Sequence, residues 1–254
     1  GRQRLEHIWG NAPPREPELT LPEIFEAANA GNVRAMWSQG EDVVQSDPDQ
    51  DRVISALQSL DLLIVQELFM TDTARHAHLV LPAAGSLEQE GTFTNGERRI
   101  QHVRPAVRPP GKARPDQNVV IDIANALGAN WQYESPAMVM DEIAQVAPAL
   151  FGGVSYDRLE PDGLQWPCPD RSHPGTATVH AERFRRGRGL LSTIEYEPSP
   201  SHDVEGYPYL LMTGRVLNHY NVGTMTRRTP SVEIVQSDVL EIHPHDAQRE
   251  QLND

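Results

Sequence analysis

Two short apolar runs, 62–65 (Leu-Leu-Ile-Val) and 79–81 (Leu-Val-Leu), each stop abruptly on polar or turn-forming residues. A run this short, with no polar alternation, suits a parallel strand buried on both faces. The first run ends on Gln66 and Glu67. That places two hydrogen-bonding side chains at the carboxyl end of a buried strand, where open α/β sheets bind ligands. Thr71-Asp72 then offers a helix N-cap with free backbone N–H groups behind it.

The flanking pattern supports a layered α/β fold. Thr20 and Glu23 form a capping box ahead of Ile24, Phe25, Ala27 and Ala28, and Gly31 stops that helix. Ala35-Met36-Trp37 is a short strand-like run, followed by the turn Gln39-Gly40-Glu41-Asp42. A strand leading into a glycine loop is a place for a nucleotide phosphate, although most such turns bind nothing. Residues 49–60 read as a helix, with Val53, Ile54, Leu57 and Leu60 at helical spacing. Helix, strand, helix and strand in so short a span predict a doubly wound sheet. Asp116 precedes a helix whose expected buried face is Val119, Val120, Ile123, Ala124 and Leu127, with Gly128 as its stop. Ser135-Pro136 starts another, carrying Met138, Val139, Ile143 and Val146. Residues 151–180 have little periodicity and read as a long ordered connection. The basic run 183–188 reads as a solvated turn. Beyond 190 the chain looks strand-rich: residues 191–196 alternate, and 209–212 and 239–242 are short apolar runs.

Composition narrows the function. The net charge of −14 provides no basic footprint for nucleic acid. No run approaches the roughly 20 apolar residues of a membrane span, and no signal peptide opens the chain. Cys168 is the only cysteine, which excludes an internal disulfide and an iron–sulfur cluster ligated within these residues. It lies between two prolines with no histidine beside it, as a buried inert thiol would. His76 and His78, and His243 and His245, are spaced to share a strand face, but neither pair has an evident third ligand for zinc. The acidic residues include no pair singled out for glycoside hydrolysis, and no Gly-x-Ser-x-Gly elbow occurs. Proline-rich stretches at 11–22 and 105–115 are linker-like.

Several separate words then carry a family resemblance. They are residues 65–74, Leu81-Pro82-Ala83-Ala84, residues 90–101, Gln165-Trp166-Pro167-Cys168 and residues 213–223. Together they resemble the molybdopterin oxidoreductase superfamily, most closely the catalytic (alpha) subunit of formate dehydrogenases. The Trp166-Pro167-Cys168 word favours these over nitrate reductases. The resemblance implies a carboxyl-proximal fragment whose two ends lie inside a larger protein. It implies a linker at 1–19, a Rossmann-like lobe at 20–150, a connection at 151–189, and at 190–254 the start of a double-psi β-barrel.

The implied cofactor is a molybdopterin guanine dinucleotide carrying molybdenum or tungsten, with an iron–sulfur cluster in the parent that this chain does not ligate. The implied contacts fall on Gly40, Gln66, Glu67, Gln89 and Asp116, and Thr71 suits a polar cofactor contact by its residue type. A second group is Thr213, Gly214, Arg215, Leu217, Asn218, His219, Tyr220, Asn221 and Val222. Some relatives carry lysine at the Gln89 position, so here an uncharged amide stands where a cation could meet phosphate. Glu67 and Asp116 suit guanine, whose N1–H and N2 amine donate together, while Thr213-Gly214-Arg215 supplies a hydroxyl, a close backbone approach and a guanidinium. No catalytic residue and no metal ligand of the family maps onto this chain, so the isolated fragment is expected to be inactive. The parent would oxidise formate to carbon dioxide and pass electrons to iron–sulfur or flavin subunits, with NAD as a possible final acceptor, in the cytoplasm. The alternatives are a nitrate reductase-like or other molybdopterin oxidoreductase, and a non-catalytic electron-transfer subunit of the complex I type.

Overall fold

The computed structural model describes residues 2–11, 14–184, 186–199 and 204–253. Gly1, Ala12 and Pro13 of the expected linker, Arg185 of the basic run, and residues 200–203 and Asp254 of the expected barrel lie outside them. The expected linker carries a helix, α1 (Arg2–Trp9), with no buried residue. It is held from outside, by the Trp9 indole N–H donating to Glu142 at 2.7 Å. A helix without a buried face leaves no periodic signal in its sequence.

Helix α2 (Leu21–Asn29) begins at the capping box. Glu23 accepts the Thr20 backbone N–H at 2.7 Å and the Thr20 hydroxyl at 2.6 Å. Strand β1 (Ala35–Gln39), the one-turn helix α3 (Val43–Ser46), helix α4 (Gln50–Ser59), strand β2 (Leu62–Glu67) and strand β3 (Leu79–Pro82) follow. Asp49 caps α4 by accepting the Arg52 N–H at 3.2 Å. The three strands are parallel, ordered β1-β2-β3, with Trp37 opposite Ile64 and Ile64 opposite Leu79.

The parallel α/β sheet agrees with the expectation, and its order is that of one half of a doubly wound sheet. Each strand is added on the same side of the last, whereas a doubly wound sheet grows from both edges of its first strand. No such reversal exists among the described residues. β2 is central and mostly buried, as its composition predicts; β3 is at the edge, and Leu79 is 47% exposed. Phe25 and Ala28 of α2, Val53, Ala56 and Leu57 of α4, and Leu63 and Val65 of β2 form the first core. Each fully buried Leu or Phe there contributes about 1.5–3 kcal/mol.

Strands β4 (Gly91–Thr94) and β5 (Arg99–Val103) form an antiparallel hairpin. At its tip the Asn95 side chain accepts the N–H groups of Glu97 at 2.9 Å and Arg99 at 3.0 Å. Helices α5 (Asp116–Ala126), α6 (Pro136–Val146) and α7 (Pro148–Phe151) come next, then the short strand β6 (Leu164–Gln165), which pairs with β5. The ordered connection builds a second core from Ile100, Met140, Val154, Leu159, Leu164 and Cys168. Cys168 is fully buried, its thiol 3.4 Å from the His173 carbonyl.

Of the expected apolar face of α5, Val119 is buried, Val120, Ile123 and Ala124 are half-buried, and Leu127 is 84% exposed. On α6 the buried residue is Met140, which lay outside the expected face. Both helices were placed correctly by spacing, but spacing does not say which face another layer covers.

The strands expected at 191–196, 209–212 and 239–242 are not formed, and no strand occurs among the described residues from 190 onward. A strand persists only where a neighbour takes its backbone hydrogen bonds, and Leu191 is 97% exposed in chain with no such neighbour. This part holds two one-turn 3₁₀ segments, Thr226–Arg228 and Pro230–Glu233, and helix α8 (Pro244–Arg249). His243 caps α8, accepting the His245 N–H at 3.2 Å, and His78 accepts the Leu63 N–H at 2.9 Å beside the sheet. Among the described residues no single helix is long and apolar enough to cross a membrane.

Candidate functional site

The carboxyl ends of the strands converge on one cleft of about 750 Å³. Gly40 follows β1 at a left-handed φ of +62°, a conformation that favours glycine, and its N–H donates to the Gln66 carbonyl at 2.9 Å. Glu67 ends β2, and Ala83, Ala84 and Gly85 follow β3. Asp116 comes from the first turn of α5, and Gln89 from the loop before β4. The opposite wall is the loop bearing Tyr220, Asn221, Val222 and Thr224 to Thr226. The cleft therefore lies where parallel sheets place ligands, closed by a segment far along the chain.

The cleft is acidic. Glu41, Asp42, Glu67 and Asp116 line it, and no lysine, arginine or histidine is among its lining residues. Glu67 is 7% exposed. Burial pushes its carboxyl above the ordinary carboxylate range; the Leu68 N–H donating to it opposes this, Asp42 and Asp116 add to it, and Arg228 offsets part. Asp42 Oδ1 accepts the Thr73 N–H at 3.0 Å and the Thr73 hydroxyl at 2.7 Å, while its buried Oδ2 has no partner among the described residues.

Asp116 is held from two sides. Gln66 Nε2 donates to its Oδ1 at 2.5 Å, and its backbone N–H donates to Gln89 Oε1 at 3.4 Å. Gln89 Nε2 donates in turn to the Ala84 carbonyl at 3.3 Å.

Of the residues expected from the sequence, the structure brings Gly40, Glu67, Gln89, Asp116, Tyr220, Asn221 and Val222 to this cleft. Thr213 and Gly214 line an adjoining cleft of about 580 Å³, which shares Asn221 and Val222 and includes Arg227. Arg215 donates to the Asn221 side chain at 2.7 Å.

Others are placed elsewhere. Gln66 is wholly buried behind the wall. Thr71 is buried too, its hydroxyl accepting the Ala74 N–H at 3.2 Å, and does not reach the cleft. Leu217 is fully exposed, and neither it nor Asn218 lines the cleft. His219 is buried as a strut, with Nε2 2.8 Å from the Val235 carbonyl and Nδ1 3.1 Å from the Thr226 hydroxyl. A carbonyl only accepts, so Nε2 carries a proton. Sequence reasoning missed Asp42, Ser86 and residues 224–226. The signal for Asp42 was present in its position two residues beyond Gly40, at the mouth of the strand-end turn.

Comparison with known proteins follows the same division. Residues 10–126 match the family described as molybdopterin oxidoreductase, and residues 209–254 match the molydopterin dinucleotide binding domain. The two matches fall on the two walls of the cleft. The chain is 43% identical over 251 residues to the F420-dependent formate dehydrogenase 2 subunit alpha of Methanococcus maripaludis, covering 96% of this chain and 37% of that protein. It is 40% identical to the F420-dependent formate dehydrogenase subunit alpha of Methanocaldococcus jannaschii, covering 97% of this chain and 37% of that one. A probable oxidoreductase of Bacillus subtilis is 37% identical across all of this chain and 26% of its own length. Among solved structures, acetylene hydratase from Pelobacter acetylenicus matches 65% of this chain and 23% of its own, with a TM-score of 0.49 and 18% identity. This chain thus spans little more than a third of the length of the formate dehydrogenase subunits it matches. The molybdopterin dinucleotide is the cofactor that both family matches imply. The acceptors in the lining fit its base end: clustered carboxylates accept from a nucleobase edge, and no lysine, arginine or histidine lines the cleft to neutralise a phosphate. With homology along nearly its whole length, the chain belongs to the molybdopterin oxidoreductase family.

Proposed function

We propose that this chain is the carboxyl-proximal part of a formate dehydrogenase catalytic subunit and seats the guanine end of its molybdopterin guanine dinucleotide. The observation that carries this is the cleft at the ends of β1, β2 and β3, lined by four carboxylates and no cation. Guanine presents N1–H and an N2 amine side by side, and a carboxylate accepts both; adenine has no donor at N1. Asp116 and Glu67 are the acceptors. The pyrophosphate is directed to the adjoining cleft, where Thr213, Gly214 and Arg227 stand. Arg227 is paired there with Asp238 at 2.6 Å, so seating a phosphate exchanges one anionic partner for another.

The dinucleotide would carry molybdenum or tungsten in the parent and supply the redox chemistry that oxidises formate to carbon dioxide. This chain's residues bind and orient. Electrons would leave through an iron–sulfur cluster to a flavin or iron–sulfur subunit that reduces NAD or F420. Residues 190–254 would supply part of the dinucleotide-binding barrel, a reading supported by the match over 209–254. The domain division at 20–150, 151–189 and 190–254, and a cytoplasmic location, belong to the same proposal.

The test is Glu67→Ala and Asp116→Ala, made singly in the full-length parent, with guanine content and formate oxidation measured after purification. Losing one charge-assisted hydrogen bond costs about 1.5–3 kcal/mol, roughly a 10- to 150-fold loss of affinity. Full cofactor and full activity in both variants would remove guanine reading from these carboxylates. Metal analysis of the same preparations separates an enzyme from a scaffold of the complex I type.

A further inference from the structure

Gln66 is an expensive residue to bury. It lies on β2 between Val65 and Glu67 and is wholly inaccessible to solvent. Its Oε1 has no hydrogen-bond partner among the described residues. Leucine would fill similar space at that position without an orphaned acceptor, so something must offset the loss. The other end of the amide identifies it. Nε2 donates to Asp116 Oδ1 at 2.5 Å, joining the end of β2 to the first turn of α5 across 50 residues of sequence. The amide cannot turn over, because Oε1 would then face a carboxylate oxygen. Both its orientation and the unsatisfied oxygen follow from serving Asp116. Gln66 is also absent from the residues lining the cleft, whereas Asp116 lines it.

We propose that Gln66 is a positioning residue for nucleobase recognition: it touches no ligand and fixes the Asp116 carboxylate in the orientation that reads guanine. This rests on the guanine reading above and divides labour between two residues expected to contact the cofactor alike. Gln89 steadies the same residue from the other side, at the longer distance of 3.4 Å and through the Asp116 backbone. It sets where Asp116 stands, and Gln66 sets which way its carboxylate points.

The experiment uses the full-length parent protein stripped of cofactor. Guanosine, inosine and adenosine diphosphates are the probes, titrated against wild type, Gln66→Leu, Asp116→Asn and the double variant. Inosine keeps N1–H and lacks the N2 amine, so it reports on the geometry of the pair. We expect Gln66→Leu to weaken guanosine diphosphate about tenfold, the scale of one hydrogen bond to a charged group, and to leave adenosine diphosphate unchanged. The preference for guanosine over inosine should shrink with it. In the double variant the two effects should not add, because each removes the same oriented carboxylate. A latch that merely holds α5 to the sheet would weaken all three nucleotides alike. Gln66→Met is the second variant: it keeps the length and the apolar fit of the buried site, has no N–H to donate to Asp116, and should lose guanine preference to the same extent as Gln66→Leu. Additive losses, or equal losses for guanosine and adenosine diphosphates, would overturn the positioning role while leaving the guanine seat intact. Absence of any guanine preference in the wild type would instead sink the guanine seat itself, and this role with it.

Discussion

Thr73→Val tests how the acidic rim of the cleft is held. Thr73 is fully buried at the turn after β2. Its hydroxyl makes two bonds at once, donating to Asp42 Oδ1 at 2.7 Å and accepting the Val44 N–H at 3.0 Å. Valine keeps the shape and removes both. Asp42 Oδ1 retains the Thr73 backbone N–H at 3.0 Å, but the Val44 N–H is left buried with no acceptor. An orphaned buried donor costs about 1–3 kcal/mol and a lost bond to a carboxylate about 1.5–3, overlapping to a total near 2–4 kcal/mol. Thr73→Ser keeps the hydroxyl and loses one methyl, about 1 kcal/mol. The hydroxyl should therefore outweigh the methyl. Hydrogen exchange of a peptide covering residues 40–46 in the full-length parent reads this as opening. We expect exchange roughly 30- to 800-fold faster in the valine variant and about fivefold faster in the serine variant. If the valine variant is as protected as the serine one, packing rather than hydrogen bonding holds the rim, and the reasoning fails.

Three further outcomes are expected. Burial raises the Glu67 carboxyl above its unfolded value, so its contribution is favourable below the unfolded pKa and is lost as pH rises through the folded one. Glu67→Gln should accordingly raise Tm more at pH 8 than at pH 4, and the same offset at both would refute it. Phe25→Ala empties a fully buried site beneath the sheet and should cost about 3–5 kcal/mol by urea denaturation; a loss under about 1 kcal/mol would mean the core collapses around it. Amides in residues 190–198, which join no ladder, should exchange faster than those of α5, and equal protection would show that other contacts hold them.

The sheet was legible because burial on both faces leaves a signature within a few residues. Leu63 and Val65 needed no knowledge of the rest of the chain to be placed inside. The capping box at Thr20 and Glu23 is equally local. What failed depends on distant partners. Residues 191–196 alternate as a strand does, yet alternation describes one strand and says nothing of a neighbour to pair with. The helix face ending at Leu127 has the right period, but nothing local shows whether a layer covers it. The hairpin turn carries an equally local signal, Asn95-Gly96, between β4 and β5. In the cleft, both Glu67, which closes β2, and Asp116, which opens α5, are acids at element ends, and the structure brings them to the same lining. Gln66 could not be told from a contact residue, because its role depends on a partner 50 positions away. His219 is expected as a ligand contact from the resemblance and Thr71 from its residue type, and the structure buries both.

The division of the cleft between distant parts of the chain also orders events in time. Synthesis runs from the amino end at about 5–20 residues per second, and domains fold as they emerge. The acidic wall from Gly40 to Asp116 is therefore made before the loop at Tyr220, which lies about 100 residues later, an interval of roughly 5–20 s. During that interval Asp42, Glu67 and Asp116 face water and their counterions on one side, and a nucleotide arriving then meets half a seat. The two-walled seat proposed above therefore exists only once residues 220–226 have been made.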